Sequence, residues 1–226
     1  MLDASAKRIL ETVPDDAVVL DVGGAMKPFN RADWIMDALA YDQRGELGSI
    51  GGSEERFSAD TWVLRDFCDR EPWPFEDNQI DFAICSHTLE DVRDPIWMCS
   101  ELNRVAKAGY IEVPSRLEEQ TYGFQGPWTG WSHHRWLIDV ADNHMTFVHK
   151  SGVVERDDAH FPPEFRNTLS AEDRVSTLWW DGGFGFEERL FWNPVEFDAW
   201  LSEPLLGREL PGRGRLRRWG RGGRGT

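Results

Sequence analysis

Gly23 and Gly24 stand directly after Asp21-Val22, and the run leading into them from residue 17 is apolar and partly β-branched. A strand that stops in an acid and a glycine turn lets backbone approach a ligand closely and sets a carboxylate beside it. Three more apolar runs end in residues of the same kind: Asp37, then Asp66-Phe67, then Ser86-His87. Farther on, GPWTGWSHHRWL, residues 126–137, places His133 beside His134, with Arg135 and three tryptophans around them. Strand-end carboxylates can bind ammonium and hydroxyl groups. A histidine, with its ordinary pKa near neutrality, can take up a proton during transfer chemistry.

The glycine turn fits some ligands better than others. A dinucleotide turn requires G-x-G-x-x-G and a helix, whereas here no third glycine follows and Pro28 interrupts the helix position. A triphosphate loop requires Ser or Thr after its lysine, and Lys27 is followed by Pro28. Asp21 would also repel a polyphosphate. A cofactor with positive charge and no phosphate suits the turn, and S-adenosylmethionine combines a sulfonium, an ammonium, a ribose and an adenine. Asp21 then serves the ammonium end. Asp37, sixteen positions later, stands near the spacing of ribose-binding acids. Asp42 is a second ribose candidate, and Asp66 with Phe67 offers an acceptor and a ring for the adenine. Taken alone, any one of these acids is better explained as a solvated loop carboxylate. Their occurrence at successive strand ends argues for a site.

Positioning these residues takes an α/β sheet. Strands are expected at 17–22, 33–36, 61–64, 81–86 and 109–114. Asp94 as N-cap and Pro95 at the first helical position open a helix with apolar residues at 96, 97, 98, 102 and 105. This alternation predicts a mostly parallel sheet whose ligands lie beyond the carboxyl ends of its strands. Residues 135–150 read as two strands around an Ala-Asp-Asn turn. STLWWDGGFGFEERLFW reads as a further hairpin around Asp181-Gly182-Gly183, adding an antiparallel hairpin at the C-terminal end of the sheet. Asn193, Pro194 and Glu196 open a last helix. The N-terminal residues read as an amphipathic helix with Ile9, Leu10 and Val13 on one side.

Net charge is −15, and its placement is uneven. Residues 205–226 hold seven arginines and one acid, so residues 1–204 carry −21. So acidic a body repels phosphate and argues against nucleic acid as a partner. The Arg/Gly tail, 207–226, is expected to be disordered. No apolar run reaches the roughly 18 residues of a membrane span. Cys68, Cys85 and Cys99 are odd in number and show no CxxC spacing, which predicts reduced thiols and a cytoplasmic location.

The stretch 74–115 closely resembles class I S-adenosylmethionine-dependent methyltransferases, of the type 11 kind. Pro74, Phe75, Asp77, Asp81 and Phe82 match the family's run before its fourth strand. Ser86, His87, Leu89 and Glu90 match the segment after that strand. Arg104, Val105, Lys107 and Gly109 match the segment before the fifth. The resemblance covers about residues 15 to 115. It implies a Rossmann-like sheet, S-adenosylmethionine as cofactor, and contacts from Asp21, Gly23, Gly24, Ala25, Asp37, Asp42, Asp66, Phe67, Ser86, His87 and Leu89. The chain departs from the pattern at Ala25, where a third glycine is common, and at Asp91, where His is common. A loop holding Pro28 and Asn30 replaces the helix between the first two strands.

Residues 1–206 are therefore expected to form one methyltransferase domain, with a hairpin insertion near 126–160 as a substrate cap. The methyl group on a sulfonium is already activated, so the protein has to position an acceptor and, for a hydroxyl, remove a proton. His133 or His134 is the expected base, with His87 as third candidate; the alternative is that these rings cap a hairpin or pack on tryptophan. Twelve tryptophans make an aromatic cleft wall plausible on chemical grounds, which favours a small-molecule or saccharide acceptor. No metal is expected, although five of the six histidines lie between 133 and 160. A methyltransferase-like binding or scaffold protein without turnover is the competing expectation.

Overall fold

The computed structural model describes residues 1–206; the expected tail at 207–226 lies outside them. Among the described residues nine strands form: β1 (Val19–Val22), β2 (Trp34–Asp37), β3 (Trp62–Leu64), β4 (Ile80–Ser86), β5 (Ala106–Pro114), β6 (Trp136–Ala141), β7 (His144–His149), β8 (Val175–Asp181) and β9 (Gly185–Glu188). Six of them make one sheet in the order β3-β2-β1-β4-β5-β8. The first five are parallel, and β8 runs antiparallel to β5. The α/β class and the mostly parallel sheet are as expected.

The expected C-terminal hairpin is different. Only β8 joins the large sheet. Gly182 and Gly183, at φ +70° and +121°, redirect the chain. β9 then pairs parallel with β7, from His144 opposite Gly185 to Phe147 opposite Glu188. A small sheet of order β6-β7-β9 results. The β6–β7 hairpin itself turns where expected, at Asp142 and Asn143, both left-handed (φ 50° and 59°). Such a turn matches the twist of the strands it joins.

Among the described residues four α-helices accompany the sheets: α1 (Asp3–Thr12), α2 (Pro95–Val105), the single turn α3 (Arg116–Glu119) and α4 (Pro194–Ser202). Asp94 caps α2 by accepting the Trp97 amide at 3.0 Å, and Pro95 occupies the first turn. In α1 the buried face is Ser5, Ala6 and Ile9. Leu10 is exposed, because adjacent helical residues point about 100° apart.

Strand side chains alternate between two cores. Leu20, Val22, Ala83, Cys85 and Ile111 pack with Met98, Cys99 and Leu102 of α2 and with Trp136, Met145 and Phe147 of the small sheet. Val19, Ile35, Phe82, Ile84 and Tyr110 pack with Ala6 and Ile9 of α1 and with Phe29 and Phe57. Among the described residues no helix separates β1 from β2. The intervening loop is tied down instead. The Phe29 amide donates to Asp21 at 2.9 Å, Asn30 to the Ile50 carbonyl at 2.7 Å, and Ile50 to the Pro28 carbonyl at 3.0 Å. All three cysteines are free and buried, and no described helix is long and apolar enough to cross a membrane.

Candidate active site

Strand order reverses between β1 and β4, and a cleft of about 560 Å³ opens beyond their carboxyl ends. Open α/β sheets bind ligands at this kind of reversal. Asp21, Gly23 and Gly24 line one part of the cleft, Ser86, His87, Glu90 and Asp91 a second, and Trp131, His133 and His134 a third.

The glycine turn is shaped from inside the protein. Gly23 has φ +78°, and a β-carbon there would overlap the Thr88 side chain; at Gly24 it would overlap the Asp21 carboxylate. Asp37 holds the turn from below, accepting the Ala25 amide at 2.8 Å and the Leu39 amide at 2.9 Å. Asp21 is buried. Burial raises its pKa to about 7, against the lowering effect of the Phe29 amide, and nearby Asp37 raises it further.

His87 ends β4 in a left-handed conformation, φ 55°. Its Nε2 lies 3.0 Å from Glu112 Oε1 and its Nδ1 3.3 Å from Glu90 Oε1. Burial alone would lower the ring's pKa, but Glu112 and Glu90 outweigh it and lift it to about 9. Glu112 is 1% exposed and also accepts the Leu2 amide at 2.9 Å and the Tyr110 hydroxyl. Burial would raise its pKa, but these partners hold it down at about 2. Glu90 is likewise 1% exposed, yet neither of its oxygens accepts a hydrogen bond among the described residues. It lines the cleft as a buried carboxylate whose nearest cation is the His87 ring at 3.3 Å.

Across the cleft, His134 Nδ1 meets Glu119 Oε1 at 2.6 Å. The other Glu119 oxygen accepts Lys150 Nζ at 2.8 Å. The opposite ring nitrogen of His134, Nε2, is 3.7 Å from Asp91 Oδ1, and His133 Nε2 is 3.8 Å from the same atom. Burial raises the pKa of Asp91, with the two histidines opposing it. Trp131 stacks on the His134 ring, centroids 5.8 Å apart.

Of the residues expected from sequence, Asp21, Gly23, Gly24, Ser86, His87, His133 and His134 reach the cleft walls. Ala25, Asp37, Asp42, Asp66, Phe67 and Leu89 do not. Phe67 and Leu89 sit in the hydrophobic core, and Asp66 points to the surface, where Arg93 pairs with it at 3.0 Å. His144, His149 and His160 stand apart from the cleft; His160 stacks on Tyr122 and His149 meets the edge of Trp136. Sequence reading missed Glu112 and Glu119 as partners of the two histidines. Their signal was present: a lone acid inside the apolar run GYIEVP, and an acid pair just beyond that strand.

Residues 52–111 match the model of a family described as a methyltransferase domain. No curated protein matches the chain. Among solved structures, a chain of the complex between the Haloferax volcanii Trm112 methyltransferase activator and the putative methyltransferase is 15% identical, with 80% of this chain and 90% of that one covered and a TM-score of 0.43. A Mesorhizobium loti S-adenosylmethionine-dependent methyltransferase is 13% identical (76% and 71% covered, TM-score 0.39). One from Aquifex aeolicus is 20% identical (49% and 64% covered, TM-score 0.33). The matched segment and the strand order support the class I S-adenosylmethionine-dependent methyltransferase family, which implies S-adenosylmethionine as cofactor. The cleft residues fit such a ligand: the buried carboxyl groups of Glu90, whose oxygens accept no well-formed hydrogen bond, and of Asp21 suit its two cationic groups, as they would not suit a phosphate.

Proposed function

We propose that this chain, which carries a class I methyltransferase domain, methylates a hydroxyl of a small-molecule or saccharide acceptor, with His134 receiving the proton. S-adenosylmethionine, when bound, supplies a methyl group already activated on sulfur. Glu90 and Asp21 hold its cationic groups, and Asp37 acts through the Ala25 amide by securing the turn. The segment near 126–160 serves as the cap that brings Trp131, His133 and His134 to the acceptor. Trp131 offers a flat face to a ring.

One observation carries this reading. His134 lines the cleft with Nδ1 engaged by Glu119, which leaves Nε2, 3.7 Å from Asp91, to take up a proton. Glu119 then stabilises the imidazolium that forms on protonation, as an acid behind a catalytic histidine does. His87 is unsuited to the task, since its pKa near 9 keeps it protonated at neutral pH. His133, 58% exposed, contacts no carboxylate other than Asp91 among the ion pairs of the described residues. The three buried free thiols support a cytoplasmic location.

The test is methyl transfer from labelled cofactor to a panel of hydroxylated acceptors, by wild type and His134→Ala. Turnover should fall at least about 100-fold in the variant with cofactor affinity retained. Equal turnover would remove His134 as base. Tight cofactor binding with no transfer to any acceptor would favour the second reading, a binding protein without turnover, which the missing helix after β1 supports.

A further inference from the structure

We propose that Asp91, His133 and His134 bind a divalent transition-metal ion of the zinc class at the acceptor end of the cleft. One ligating atom from each residue lies within 4.8 Å of the others. The Asp91 oxygen is 3.8 Å and 3.7 Å from the two Nε2 atoms. Ligands about 2.0–2.2 Å from a shared tetrahedral ion stand about 3.3–3.6 Å apart, so small side-chain shifts close the set.

Three observations separate this corner from a pair of histidines resting on an acid. First, the two imidazole planes cross at 81° with centroids 4.6 Å apart, so the rings do not stack, and their ligating nitrogens lie within 4.8 Å of each other. Second, Glu119 at 2.6 Å from Nδ1 fixes the His134 tautomer and presents Nε2, and Lys150 anchors Glu119 in turn. A carboxylate behind a ligating histidine is the usual outer support of a metal site. Third, Asp91 Oδ1 is a buried atom that accepts no hydrogen bond among the described residues, although the residue as a whole is 40% exposed. A buried carboxylate oxygen without a donor is costly unless a cation serves it.

Two nitrogens and one carboxylate oxygen select zinc, cobalt, manganese or iron(II) over magnesium and calcium, which favour all-oxygen shells. Three protein ligands leave a position open towards the cleft, as in catalytic rather than structural sites. The use of the ion rests on the hydroxyl-transfer reading, but its binding does not. His134 Nε2 serves as base in the metal-free chain and would serve as a ligand instead once the ion binds, the metal then taking over activation of the hydroxyl. An acceptor hydroxyl at the open position would be acidified by the metal and lose its proton to solvent; its oxygen would then bond the methyl carbon as the methyl–sulfur bond breaks and S-adenosylhomocysteine leaves.

The experiment is calorimetric titration of the chelator-stripped chain with zinc(II) and magnesium(II), with cobalt(II) followed by visible absorption. One zinc per chain should bind, with no saturable magnesium heat and with cobalt bands of low-symmetry coordination. Asp91→Asn and His133→Ala should each weaken zinc at least about tenfold, while S-adenosylmethionine affinity and the melting curve stay at wild-type values. Absence of saturable zinc binding, or binding unchanged in both variants, overturns the site. A chain that binds zinc but transfers no methyl group refutes the transferase reading alone.

Discussion

Two histidine–glutamate pairs face each other across one cleft, and they differ in what is left over. His87 is closed: carboxylates stand at both ring nitrogens, and Glu112 behind it also gathers the Leu2 amide and Tyr110. His134 is open: Glu119 takes Nδ1, and Nε2 faces only Asp91, beyond hydrogen-bond distance. The first arrangement favours a cation at neutral pH that ties the end of β4 to β5. The second preserves a lone pair for chemistry. The same residue types therefore serve architecture on one wall and reaction on the other, and the number of engaged nitrogens decides which.

The comparison is broken most directly by parallel substitutions. His134→Gln should lower turnover by about 100- to 10,000-fold, whereas His87→Gln should lower it less than about tenfold, acting through cofactor affinity; turnover assays with saturating cofactor would show the split. On the closed side, Glu112→Gln removes the hub of the cluster. Thermal unfolding should shift down by about 5 °C, consistent with 1–2 kcal/mol for weakened buried hydrogen bonds.

The closed pair also has a pH signature. His87 is raised in the folded state, so its contribution is complete below its ordinary pKa of 6.5 and is lost as pH rises through about 9. Glu112 is depressed, so its contribution is present above its ordinary 4.5 and is lost as pH falls towards about 2. Melting temperature measured from pH 6 to 10 should decline towards the upper limit in wild type and less in Glu112→Gln. Asp21 gives the complementary case. Its raised pKa means that the empty protein loses stability as pH rises through about 7, while affinity for a cationic cofactor increases over the same range. Asp21→Asn should bind weakly at every pH. Gly23→Ala should destabilise by at least about 1–2 kcal/mol, the cost of the left-handed backbone alone, because its β-carbon would also overlap the Thr88 side chain; denaturant unfolding against wild type measures it.

The closed wall was largely legible in the sequence. Apolar runs ending in Asp21 and Ser86-His87 became strands that bring those residues to the cleft, and Asp94-Pro95 opened α2 as capping chemistry requires. What escaped was pairing over distance: Glu112 lies 25 positions from His87, and nothing local reveals that they meet. The strand-end rule also overreached. Asp66 ends an apolar run but points to the surface, and Asp37 spends both oxygens on backbone amides.

The open wall was legible as residue types and illegible as topology. The Asp181-Gly182-Gly183 signal marked a real reversal, yet β8 pairs with β5 along seven positions and β9 with β7. A turn fixes where the chain bends, and tertiary packing decides which strand it then joins. Asp91 was noted as a departure from the family pattern, and only the fold brings it to the two histidines.

The central claim is that this cleft holds S-adenosylmethionine through buried carboxylates. Calorimetric titration of wild type and Glu90→Gln with S-adenosylmethionine tests it directly. Saturable binding in wild type that weakens at least about tenfold in the variant, as expected for loss of one charge-assisted contact, is the predicted result. No saturable binding to wild type, or equal affinity in both proteins, would contradict it.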